Sequence, residues 1–198
     1  MSGAIWQDLW RGKEGMVQSI ALRCGDQEMT FHTFFQQILQ AEAGLRRLGV
    51  GPGDLVTLFT LNTPEAAAAV YAIDRIGAVA NGVVMEASPA EVEPYLTQAG
   101  SKVVLVLELA FDKIYANRGQ APVSRFVVLP MGPYLAPALG EKLRTGSWQE
   151  RKGPDCLSWA EFLAPPDDHP PETDRPEEPA ASPHNDQTPP PPHETDHP

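Results

Sequence analysis

The sequence predicts an α/β fold, a mostly parallel sheet flanked by helices, and three observations carry that expectation. Segments with helical periodicity alternate with short apolar segments. The apolar segments are continuously hydrophobic rather than alternating, as strands covered on both faces must be. The connections between them are short, so successive strands return in the same direction through helices packed on the sheet.

The first strong helix spans Thr30 to Leu48. Phe31, Phe34, Ile38, Ala41, Leu45 and Leu48 recur at spacings of three and four and form one stripe. Thr30 suits the N-cap and Gly49 the position just past the last turn. "DLVTLFTL", Asp54 to Leu61, is β-branched, apolar and bounded by turn residues, and reads as a buried strand. Thr63, Pro64 and Glu65 are a strong helix start, and Gly77 ends that helix. Val79 to Val84 is a second strand, weakened by Asn81 and Gly82 in its middle.

Ser88, Pro89 and Glu91 read as a capping box opening a third helix to about Ala99. Pro94 inside it removes a backbone donor, so a kink or a late start is expected. Lys102 to Leu107 is the clearest strand, a weaker helix spans Leu109 to Asn117, and Arg125 to Pro130 is a further strand. Beyond Pro130 the pattern thins. Leu139 to Arg144 has helical character, and Ser158 with Glu161 caps a short "SWAEFL" turn. There is no internal repeat.

At Pro165 the composition changes. The last 34 residues hold twelve prolines and no Val, Ile, Leu, Met or aromatic residue. Such a segment buries too little surface to offset the entropy of ordering. The expected organisation is therefore an α/β unit over 1–164 and a disordered, acidic, proline-rich tail over 165–198. Nine Asp/Glu and one Arg give that tail a charge of −8 out of −11 for the chain. The acidity belongs to the tail, and it argues against nucleic acid as a partner, because phosphate contacts need Lys and Arg.

The N-terminus "MSGAIWQDLWRGKEG" has no apolar core, so a signal peptide is not expected there. No apolar run, "VVLVL" included, approaches the length of a membrane span, so no membrane span and a cytoplasmic location are expected. Cys24 and Cys156 form no CxxC pattern and read as reduced, unpaired thiols.

The candidate chemical motifs are few. Gly49, Gly51 and Gly53 in "RLGVGPGDLV" suggest a phosphate loop. Such a loop leaves a strand and opens a helix, so that free N–H groups at the positive helix end meet the phosphate. Here the order is reversed, Pro52 removes a donor and no Lys-Ser/Thr follows. The stretch reads as a helix-to-strand turn. His169, His184, His193 and His197 lie in the tail without the spacing of a closed metal site. His32 in the first turn of its helix reads as an ordinary histidine, and the adjacent Asp74 and Arg75 as solvent-facing charges. "RPEEP" is the nearest match to a proline-rich docking motif, but it is acidic where such ligands carry basic residues. These residues supply no nucleophile–base pair, metal cluster or phosphate cradle. No catalytic, cofactor-binding or metal-ligating residue is therefore assigned.

One ordered run of segments does carry a resemblance. "MTFHTF", the helix ending in "LGVGPGD" before an apolar strand, "LNTPE", "IDRIGAVANGVV" and "SPAEVEPYLTQAGSKVVLV" occur in that order. Together they resemble the N-terminal part of the adenylate-forming, AMP-binding enzymes, of which the acyl-CoA synthetases are the most similar branch. Residues from about Trp6 to Leu163 are compatible, and "LSWAEFL" resembles the region shortly before the family's phosphate loop. The resemblance implies a parent activity in which a carboxylate reacts with ATP and Mg to give an acyl-adenylate, and the acyl group then passes to coenzyme A.

Departures limit that implication. Thr33 stands where the family usually has Glu, so the reciprocal capping box at Thr30 is absent and the helix start is weakened. The usual proline is missing from Asn81–Val83. The family's Thr/Ser-Gly-Thr-Thr-Gly-x-Pro-Lys-Gly loop, its ribose-binding Asp and its catalytic Lys have no counterpart in this sequence. The expectation is a truncated N-terminal fragment of an AMP-dependent ligase, inactive alone, holding no ATP, Mg or CoA of its own and partnered, if at all, by a complementary fragment. The alternative is a non-catalytic interaction module that binds a protein through its sheet edge or proline-rich tail.

Overall fold

The computed structural model describes residues 4–13, 15–135 and 153–165. The chain divides into two units, Met1–Pro165 and Pro166–Pro198, and every described residue lies in the first. The helix expected over Leu139–Arg144, the tail from Pro166 onward and its four histidines lie outside the described residues.

The described elements are α1 (Ala4–Arg11), β1 (Ile20–Cys24), β2 (Gln27–Thr30), α2 (Phe31–Arg47), β3 (Leu55–Phe59), α3 (Pro64–Ile76), β4 (Val79–Gly82), α4 (Pro89–Ala99), β5 (Val103–Leu107), α5 (Phe111–Ala116), β6 (Arg125–Leu129), β7 (Cys156–Ser158) and α6 (Trp159–Leu163). Strands β3 to β7 form one parallel sheet in the order β4-β3-β5-β6-β7. β1 and β2 form a separate antiparallel hairpin.

The central strands explain why no alternation was visible. In β5, Val103, Leu105 and Leu107 point into one core, and Val104 and Val106 into the other. β6 divides the same way, with Val127 and Leu129 against Phe126 and Val128. The first core is completed by α2, α3 and α6, the second by α4 and α5. Side chains alternate across the pleat, yet both faces are covered.

The helix boundaries follow their caps. Thr63 Oγ1 accepts the Ala66 N–H at 3.2 Å, Pro64 occupies the first turn and Gly77 closes α3 at φ 78°. α2 starts despite the missing glutamate, because Thr30 Oγ1 accepts the Thr33 N–H at 3.3 Å and lies 3.2 Å from the Thr33 hydroxyl. In α4, the Glu91 carboxylate accepts from both the N–H and the hydroxyl of Ser88, each at 2.8 Å. α4 runs through Pro94 from Pro89, so there is no late start. Helix expected from Leu109 begins as a 3₁₀ turn over Glu108–Ala110 before α5.

β4 ends at Gly82, short of the expected Val84. Asn81 is accommodated because its Nδ2 donates to Thr57 Oγ1 at 3.2 Å, and Thr57 lies 2.7 Å from the Ser101 hydroxyl. Four elements had no sequence expectation: α1, the hairpin strands β1 and β2, and β7. The hairpin turns at Gly25 and Asp26, a Gly-Asp signal lacking the strongly alternating flanks that usually accompany it.

Candidate functional site

The strand order reverses beside β3. The chain passes from β3 outward to β4, then crosses back to β5 on the other side. In such sheets ligands bind outside the carboxyl ends of the strands, at this switch point. Two features occupy that edge of the molecule.

The first is a cleft of about 670 Å³ at the carboxyl ends of β3 and β4. Leu22, Leu58, Ala66, Tyr71 and Val83 make its walls mostly apolar, and Asn62 stands at the start of α3. Its volume lies in the ordinary range for small-molecule sites. The charged group at its rim, Arg23, is engaged with Glu28 at 2.7 Å. Cys24 also lines the cleft, and no hydrogen bond joins its thiol to a base among the described residues. The arrangement can shelter an apolar group, and nothing in it activates a nucleophile.

The second is a short segment after β6 that crosses the switch point. Glu108, just past β5, accepts the N–H groups of Met131 and Gly132 at 3.0 and 3.3 Å. Tyr134 then donates its hydroxyl to Glu65 Oε1, in the first turn of α3, at 2.5 Å. Burial, followed by the Glu65 carboxylate, pushes the Tyr134 hydroxyl well above its ordinary pKa. Glu65 is 6% exposed, and its Oε2 has no hydrogen-bond partner among the described residues. Sequence reasoning missed this group. Glu65 was legible only as a first-turn acid, and Glu108 and Tyr134 carry no local signal.

The glycine-rich turn lies at the opposite, amino end of β3. Every N–H from Gly49 to Asp54 already has an acceptor. Gly49 and Val50 donate to Arg46 and Leu45 carbonyls, Gly53 to Gly77 and Asp54 to Gly51. The Gly51 N–H donates to the Asp54 carboxylate at 2.9 Å. Gly49 and Gly53 sit at φ 79° and 82°, conformations that suit glycine. An anion is already built into this turn as Asp54, so the residues present do not fit ATP phosphates.

His32 is exposed at the start of α2. Asp74 and Arg75 are not free solvent-facing charges. Asp74 accepts the Trp6 N–H at 3.2 Å, and Arg75 Nε contacts Glu42 Oε2 at 2.5 Å while its guanidinium lies 4.5 Å from the Trp6 ring centroid. The pair fastens α1 to α2 and α3. Cys156 is buried and unpaired beside Asp155, which accepts the Tyr115 hydroxyl at 2.8 Å. No group of three or more His, Cys, Asp or Glu side chains is placed to hold a metal among the described residues. No described helix is long and apolar enough to cross a membrane.

Comparison with known proteins gives a consistent result. The family model described as AMP-binding enzyme matches residues 10–190. An acetyl-coenzyme A synthetase of Deinococcus radiodurans is 30% identical over 131 residues, covering 66% of this chain and 18% of the relative. A long-chain-fatty-acid–CoA ligase of Thermus thermophilus is 35% identical over 120 residues, covering 57% and 22%. Among solved structures, an anthranilate CoA ligase in complex with anthranoyl-AMP superposes with a TM-score of 0.61 at 27% identity, covering 73% of this chain and 27% of the other. A coronafacic acid ligase of Pectobacterium brasiliense reaches a TM-score of 0.68 at 17% identity, covering 86% and 31%, a likeness of fold alone. This chain thus covers only 18% to 31% of the length of these proteins.

Proposed function

Since the chain belongs to the AMP-binding enzyme family, we propose that it is the N-terminal α/β portion of an acyl-CoA-synthetase-like ligase and does not activate carboxylates by itself. The parent reaction is the ATP-dependent conversion of a carboxylate to an acyl-adenylate, followed by transfer of the acyl group to the thiol of coenzyme A. The observation that carries this reading is the family match over residues 10–190, in a sequence that offers no substitute for the family's phosphate loop. The one glycine-rich stretch has its amides already bonded and sits at the wrong end of β3.

In this reading ATP, Mg and CoA belong to the complete enzyme. The chain's own contribution is the folded sheet that the remaining polypeptide builds on, in a cytoplasmic setting. A complementary polypeptide bearing the phosphate loop and the catalytic Lys would be needed for turnover. The interaction-module alternative draws no support from the relatives cited above, which are CoA ligases and synthetases.

The test is ATP–pyrophosphate exchange by the purified chain with acetate, a long-chain fatty acid and an aromatic acid in turn. Exchange no greater than the protein-free blank is expected. Turnover above the blank with any of the three overturns the proposal.

A further inference from the structure

We infer that Met131–Leu135 is a displaceable strap, held across the carboxyl end of β5 and the start of α3 by Glu108 and Glu65, which opens as a unit apart from the sheet and so controls access to Glu65. The inference does not rest on the proposed function. It rests on how the strap is held.

The strap leaves the end of β6 and is fastened on three other elements. Glu108 beyond β5 takes the Met131 and Gly132 N–H groups, and Glu65 of α3 takes the Tyr134 hydroxyl. At the hairpin, the Tyr134 carbonyl packs against Gly25, where a Cβ would come within 3.1 Å of it. The remaining strap amides bond within the strap: Tyr134 N–H to the Met131 carbonyl at 3.0 Å and Leu135 N–H to that of Gly132 at 3.3 Å. Among the described residues, no ladder hydrogen bond ties these residues to the sheet.

Its hold is therefore a few side-chain hydrogen bonds and the packing of Met131 on the first core, rather than a strand pairing. One of them is compromised. With the strap closed, Glu65 Oε2 is buried without a partner among the described residues, and an unsatisfied buried carboxylate oxygen costs free energy that solvent would relieve. Opening releases Tyr134, hydrates Glu65 and withdraws the partly buried Met131 from the first core, while the second core holds no strap residue among the described residues. Segments with few buried apolar contacts and side-chain-held backbones open locally, at lower cost than global unfolding.

Hydrogen–deuterium exchange of the full chain tests this, with carbodiimide–amine labelling of Glu65 read by mass spectrometry as the probe of access. In the wild type, the amides of Met131, Gly132, Tyr134 and Leu135 are expected to exchange at a common rate, slower than an unstructured peptide and at least tenfold faster than Val104 and Val127. Tyr134→Phe, which keeps the ring and removes the hydroxyl, should raise all four strap rates about tenfold and increase Glu65 labelling, with Val104 and Val127 unchanged. If Tyr134→Phe fails to fold, the wild-type rates and the Glu108→Gln variant decide. Strap amides that exchange with the sheet, or at the unstructured rate, or that ignore both substitutions, overturn the inference.

Discussion

Gly44 of α2 and Phe162 of α6 meet so closely that a Cβ at Gly44 would lie 2.6 Å from the Phe162 ring and 2.8 Å from its carbonyl oxygen. Arg47, one turn on, donates to the same carbonyl at 2.7 Å. The last described helix of the unit is thus seated on the C-terminal turn of α2, across 115 residues of chain.

Gly44→Ala is therefore expected to destabilise. In an open helix the exchange gains up to about 1 kcal/mol from propensity. Here the added methyl meets backbone as well as a ring, and overpacking of this kind costs about 1–3 kcal/mol. Urea denaturation of the variant checks the sign, and a raised midpoint would show that α6 yields freely.

The Thr57–Ser101–Asn81 network holds β4 to β3 through a fully buried hydroxyl. Thr57→Val keeps the shape and strands the buried Ser101 hydroxyl, which should cost about 1–3 kcal/mol. Adding Ser101→Ala removes the stranded group, so the double variant should recover part of the loss as a non-additive coupling. A double-mutant cycle by chemical denaturation measures it.

Trp6 stacks on Trp10 at 5.8 Å, meets Phe35 edge-on at 5.4 Å and lies under the Arg75 guanidinium. Trp6→Ala should release α1, with a loss of about 1–3 kcal/mol from the aromatic and cation–π contacts together. Proteolysis near Arg11 should accelerate in the variant while the sheet stays protected, and equal cleavage rates would count against a docked α1.

Stability should fall at alkaline pH. Burial first, and then the hydrogen bond to Asp155, push Tyr115 from 10.0 up to about 12. Burial also pushes the neighbouring Cys156 thiol up. Both groups have folded-state values above the unfolded ones. The stability they contribute is complete below the unfolded values and is lost as pH rises through the folded ones, for Tyr115 toward about 12. Tyr115→Phe should flatten the decline between pH 10 and 12, as read by thermal melts across that window. An unchanged slope would remove Tyr115 as its source.

Local chemistry alone made much of the unit legible. Apolar runs with no alternation meant strands buried on both faces, and β5 and β6 are so buried. Thr63, Pro64 and Gly77 marked the ends of α3 because caps act within a turn of the residues they serve. The order of helix and strand around "RLGVGPGDLV" sufficed to read it as a turn, and its fully bonded amides agree. The ordered motifs also sufficed for the family. What only the tertiary structure decided are contacts between residues with no sequence proximity. Asp74 and Arg75 looked like surface charges until α1 folded back over them. Glu65 was a first-turn acid until Tyr134, 69 residues later, reached it. Such pairings depend on where the sheet order brings loop ends together, and no periodicity or cap records that.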